Sequence, residues 1–243
     1  GSNSNVSNAT DLTGTLFDSN DDFEIGYRHT NGFPIDGIID EVRLSSVARS
    51  ESWLTTETNN LNNPGIGAGK FIKTAGVEES GGGWYDTCWQ YRKKLTIDSS
   101  NICGDLIDFP ALISFTHDSD LAAGAQNDFD DVLFTSANGI TKLSHEIEDY
   151  NSTNGDIVAW VKIPVLSSTS DTEIYMYYGC GTADNQQNAS GVWDDAYVGV
   201  WHLTESGNGT ADEFKDSTQY GNHGQGGEGV SVFVPSQVSG KIA

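Results

Sequence analysis

Apolar and polar positions alternate in short bursts along the middle of this chain. YRKKLTID (91–98), FPALISFT (109–116), DDVLFTSA (130–137), ITKLSHEIEDY (140–150), DIVAWVKIP (156–164) and TEIYMYYG (172–179) are rich in β-branched and aromatic residues. That period of two predicts half-buried strands. Asn138-Gly139 and Asn154-Gly155 stand between successive bursts, and both residue types accept the positive φ of a tight hairpin. Short antiparallel links between six strands predict an all-β fold, a sandwich or jelly roll.

Weaker patterns flank this core. FEIGY (23–27) and GIIDEVRL (37–44) read as strands, with Asp40 on the face of Ile38, Val42 and Leu44 and with Glu41 and Arg43 opposite. Ser50 is placed to cap a short helix, SESWLTTETNN, whose Trp53 packs back. Beyond the core, VGVWHL (198–203) and VSVFVP (230–235) are strands separated by a polar loop, and the sheet they begin has an open edge. NNPGIGAGKFIKTAGVEESGGG, rich in Gly, reads as a linker. The expected organisation is therefore residues 1–62 as the end of one β-module, 63–83 as a linker, 84–191 as a central sandwich and 192–243 as the start of another module.

Charge narrows the partners. The 243 residues hold 35 acids against 12 bases, a formal net charge of −23, which repels nucleic acid and anionic lipid. No apolar run approaches the ~20 residues of a membrane helix. The sole Met, Met176, lies inside a strand, so the sequence is expected to be a processed or excised part of a longer chain. Three cysteines suggest one disulfide and one remaining thiol in a secreted protein. Cys88 precedes the first strand of the central domain and Cys180 follows its last, so Cys88–Cys180 forms if those strands are neighbours; Cys103–Cys180 is the alternative. Glycosylation triplets occur at Asn5, Asn8, Asn151, Asn188 and Asn208, all in polar stretches.

Three passages resemble known families. GIIDEVRLSSVARSESWLTTETNNLNNP is similar to the end of a laminin-G-like (concanavalin A-like) jelly roll, and VWHLTESGNGTADEFKDSTQYGNHG to the beginning of one. The run from WQYRKKLTID to IYMYYG resembles a domain of unknown function that sits beside such modules in bacterial and archaeal surface proteins and in some MotA/TolQ/ExbB-type proteins. The resemblance implies a non-catalytic, extracellular, adhesive or structural module. With half a jelly roll at each end, it also implies a repeat of a surface fibre or large adhesin whose sheets neighbouring copies complete. The alternative is a calcium-dependent carbohydrate-binding module that takes polysaccharide.

Candidate chemistry is sparse. Calcium needs several oxygen ligands from irregular loops. DSNDD, QNDFDD (Asp128, Asp130, Asp131) and DEFKDS supply such clusters, and resemblance to calcium-binding jelly rolls adds Asp40 and Asp216. Trp84 and Trp193 sit at strand or linker edges, where an exposed ring would stack on a sugar. Glu146 and Glu148 share one face of HEIEDY, roughly 7 Å apart, between the separations expected for retaining and inverting glycosidase pairs, but the third acid of the hydrolase pattern is missing, so they are expected to line a solvated face. The five histidines lack metal-ligand spacing, which argues against zinc.

Overall fold

The structure is a computed structural model that describes Phe23, Ile25, Gly26, residues 37–230, Val234 and residues 236–240. Two compact units divide the chain, residues 1–37 and 38–243. Most of the first unit, including Asn5, Asn8 and, in FEIGY, residues 24 and 27, and most of VSVFVP lie outside the described residues. The boundaries expected at 62, 83 and 191 all fall within the second unit.

That unit is an all-β sandwich. Its elements are β1 (Val42–Ser45), α1 (Glu51–Asn62), β2 (Ile72–Ala75), β3 (Glu79–Ser80), β4 (Tyr91–Ile97), β5 (Leu106–Phe115), α2 (Ser119–Gly124), β6 (Leu133–Ser136), β7 (Lys142–Leu143), β8 (His145–Asn151), β9 (Asp156–Leu166), β10 (Thr172–Tyr178), α3 (Ala189–Val192) and β11 (Tyr197–Trp201). One sheet runs β2-β4-β10-β6-β7 with β3 also on β4, a second runs β5-β9-β8, and a third is the pair β1-β11. All pairings are antiparallel.

The first two sheets face each other across an apolar core. Leu95, Ile97, Ile174 and Met176 meet Phe109, Ala111, Ile113, Ala159 and Val161, each at most 1% exposed. Lys93 lies among them, but its ammonium reaches Asp118 at 2.6 Å and Asp120 at 2.8 Å, which satisfies the buried charge. The hairpins turn at Gly139 (φ 75°) and Gly155 (φ 76°), as the Asn-Gly pairs predict. The burst ITKLSHEIEDY is not one strand. It changes sheets at Ser144, with β7 on one side and β8 on the other. The Gly-rich segment expected as a linker instead supplies β2 and β3 to the edge of the first sheet and buries Phe71 and Ile72 completely.

Cys88 and Cys180 form the disulfide, with Cα atoms 5.0 Å apart, because β4 and β10 are neighbours that pair Tyr91 with Tyr178. Cys103 is the free, exposed thiol. Asp131 braces the same corner: its carboxylate accepts the backbone N–H groups of Gln126, Gly179 and Cys180.

The exposed backbone of three sheet edges is taken up by the chain itself. The Asn60 side chain of α1 donates to the carbonyl of Leu112 at 2.8 Å and accepts from its N–H at 2.7 Å, filling the edge of β5. Gln187 accepts from Ile147 N–H, and Asn188 N–H donates to the His145 carbonyl, along β8. At β11, where an open edge is expected, Ser217 N–H and the Asn222 amide donate to the carbonyls of Val200 and Val198, and Asp216 accepts Val200 N–H. At these positions the edge groups already have partners within the chain.

Candidate functional site

The sandwich has a third layer. The β5-β9-β8 sheet turns its second face toward β1-β11 and α3, which explains the near-continuous burial along β9. Trp160 projects from β9 toward this layer, opposite Glu146 on β8. A bulge in β8 leaves Glu148 without a partner in the ladder and aims its side chain at Trp160 as well, whose indole N–H donates to Glu148 at 2.7 Å.

A cluster of ionisable groups fills the space between the layers. His202, just past β11, places Nδ1 2.8 Å from Glu41 and 3.5 Å from Glu148, and Nε2 3.2 Å from Glu146. Glu146 also accepts from Trp193 Nε1 at 3.1 Å and from the Ser217 hydroxyl. Arg43 donates to Glu41 at 2.8 Å and to Glu57 of α1, and its guanidinium lies 4.2 Å above the Trp160 ring. The side chains of Glu148, Glu41, His202 and Arg43 are 1%, 8%, 8% and 9% exposed. A second clamp lies beside the cluster, where Arg49 makes a two-pronged pair with Asp194 at 2.7 and 2.8 Å and stacks between Trp53 and Tyr197.

Burial and charge set the protonation of this cluster. Burial alone would lower the His202 pKa, but Glu146 and Glu41 outweigh it and hold the ring well above its ordinary value. Burial raises the Glu148 carboxyl to about 7, the charges of Glu41 and Glu146 adding to it against the pull of His202. Burial also pushes Glu41 upward, yet His202 and Arg43 bring it below its ordinary value.

These positions correct two expectations. Glu146 and Glu148 do not line a solvated face; they are closed in by Trp160, Trp193 and the β1-β11 layer. The orientation of β1 is also inverted. Glu41 and Arg43 point inward, while Leu44 is 38% and Ile38 67% exposed, because the ions satisfy one another inside.

The other expected site residues are dispersed. Asp216 is buried, and its two carboxylate oxygens accept four hydrogen bonds, from Val200, Thr218 (N–H and hydroxyl) and Asn222. Four converging donors form an anion's cradle, so Asp216 does not offer a lone pair to calcium. Asp128 is exposed and accepts from Asp130 N–H, and Asp40 lies against Gly240. Among the described residues, the group of three acidic or histidine side chains with ligand atoms within 4.8 Å of one another is Glu41, Glu148 and His202.

Trp193 is 3% exposed, so it is a packing residue rather than an open sugar platform. Trp84 is half-buried over Arg92, whose guanidinium also covers Tyr175, each 4.3 Å away. Asn151, Asn188 and Asn208 are exposed. No helix among the described residues is long and apolar enough to cross a membrane.

Residues 128–219 match the family model described as a domain of unknown function (DUF2341). No curated protein and no solved structure matches the chain. The matched stretch is less than half of the chain. It holds Glu146, Glu148, Trp160, Trp193, His202 and Ser217, while Glu41, Arg43 and Glu57 lie outside it.

Proposed function

We propose that this chain is a non-catalytic, extracellular structural or adhesive module of a larger surface protein. The observation that supports this reading best is the use made of its reactive groups. The paired carboxylates and the histidine that would serve a hydrolase are sealed between layers and committed to Trp, Ser and Arg partners, where they hold β1-β11 against the sandwich. The disulfide and the strongly acidic composition agree with an oxidising, extracellular setting. The similarity of the 37–64 and 200–224 passages to laminin-G-like pieces belongs to this proposal.

The closed edges change its form. β5, β8 and β11 are capped from within, so a neighbour's strand is not needed to complete them, and assembly into a fibre would use side-chain surfaces or further domains. The test is sedimentation and negative-stain imaging of the native material at increasing concentration, with hydrolysis assays on a polysaccharide panel. Folded beads in linear chains, without hydrolysis, support the reading. Sugar release that Glu146→Gln abolishes contradicts it.

A second reading, polysaccharide binding, draws on the layered Trp84–Arg92–Tyr175 group on the outer face of the first sheet. Retention on a polysaccharide column that Trp84→Ala removes would favour it over the structural reading.

A further inference from the structure

The ion cluster beneath β1-β11 is unbalanced. Glu41, Glu57, Glu146 and Glu148 bring four carboxylates against the single guanidinium of Arg43, and the space is closed by Trp160 and Trp193. Uncompensated negative charge in such a site is costly. A proton on His202 offsets one charge, whereas a divalent cation bound to neutral imidazole offsets two.

The geometry meets the requirements of such a cation. One ligand atom from each of Glu41, Glu148 and His202 lies within 4.8 Å of the others, and His202 Nδ1 is 2.8 Å from Glu41 Oε2 and 3.5 Å from Glu148 Oε2. Ligand atoms on a tetrahedral zinc with ~2.0–2.2 Å bonds sit roughly 3.3 Å apart. Each of the three ligands also has an outer partner. Arg43 holds the other oxygen of Glu41, and the Trp160 indole holds Glu148. Glu146 faces the opposite ring nitrogen of His202 at 3.2 Å, where Nε2 is buried without a well-aligned hydrogen bond. A carboxylate behind a ligating imidazole fixes the tautomer and strengthens the ligand.

We propose that Glu41, Glu148 and His202 bind a divalent transition metal of the zinc type, with Glu146 as the positioning residue behind His202, and that the metal pins the β1-β11 layer to β8. One nitrogen among carboxylates favours zinc over calcium, which prefers six or more oxygens. The ligands come from three segments that are far apart in the chain, so metal binding and closure of the layer are one event. This inference stands apart from the fibre reading and survives whichever assembly the module makes.

The test uses the full chain, expressed with added zinc and purified without chelator. Elemental analysis should find about one zinc per chain. Thermal unfolding should shift upward with zinc and downward with a chelator, since a ligand that binds only the folded state stabilises it. Glu148→Gln, nearly isosteric and so expected to fold, should abolish both signals, and Glu146→Gln should weaken zinc affinity ~10-fold or more while leaving the site assembled. If His202→Gln fails to fold, Glu148→Gln carries the test. Wild-type protein that retains no zinc and whose unfolding ignores zinc overturns the proposal. So does an equal response to calcium, or undiminished zinc binding by Glu148→Gln.

Discussion

His202 Nδ1 and the Glu41 carboxylate, 161 positions apart in the chain, meet at 2.8 Å beneath the third layer. The contact joins the segment that enters the sandwich at β1 to the segment that leaves it at β11. Among the described residues those two strands pair only with each other, four residues against five, and a two-stranded ribbon alone is marginal in water. Tertiary contacts therefore help to hold the ribbon, and Arg43, Glu41, His202 and Glu146 supply ion pairs between it and the sandwich.

Arg43→Ala takes the guanidinium from Glu57 and Trp160 and leaves Glu41 with His202 alone. Breaking one side of a buried ion pair costs about 3–5 kcal/mol. The expected result is a fall of that size in urea denaturation. Arg43→Lys, which keeps the charge but loses the planar fork, should recover part of it.

The Asn60 amide both donates to and accepts from the backbone of Leu112. Asn60→Ala leaves two buried backbone groups unsatisfied, a loss of about 2–4 kcal/mol. Asn60→Asp should also destabilise, because a carboxylate can accept from the Leu112 N–H but repels its carbonyl. Equilibrium unfolding of both variants checks this, and an unaffected Asn60→Asp would show that the edge contact is dispensable.

The disulfide closes a sequence separation of 92 residues. Cys88→Ser in a Cys103→Ser background should lose about 2–5 kcal/mol relative to that background. Thiol titration of the native wild-type chain should count one reactive cysteine, Cys103.

His145 is fully buried against Phe134, and its pKa is lowered to about 4, chiefly by burial, with the Lys142 charge adding against the nearby Leu143 and Val132 carbonyls. Its folded pKa lies below its unfolded value of about 6.5. Between these values the unfolded chain binds more protons, so stability rises with pH, is fully present above about 6.5 and is lost as pH falls toward 4. The linked contribution is about 3 kcal/mol. Replacing the ring by Leu should flatten the stability profile across that window relative to wild type, and parallel profiles would contradict the assignment.

Much of the sandwich was legible because its strands carry local signals. Tyr91–Ile97 alternates, Asn138-Gly139 and Asn154-Gly155 turn, and Cys88 and Cys180 bracket neighbouring strands. The third layer was harder to read. In β1 and the residues before it, the apolar Ile38 and Leu44 face solvent while Glu41 and Arg43 face inward, a choice that only distant partners explain. β2 and β3 have no strand-like pattern of their own and owe their form to β4. One clue was present: IVAWV and FPALISF are apolar on both faces, which marks a sheet covered on both sides. Glu146 and Glu148 opposite Trp160 then had to be buried with partners.

Amide hydrogen exchange on wild type and Arg43→Ala, resolved by segment, tests most directly whether the ion cluster holds the third layer. Protection should fall in β1 and β11 while β4, β9 and β10 keep theirs. Unchanged protection in β1 and β11, or an equal loss throughout the sandwich, would show that the layer does not depend on these ions.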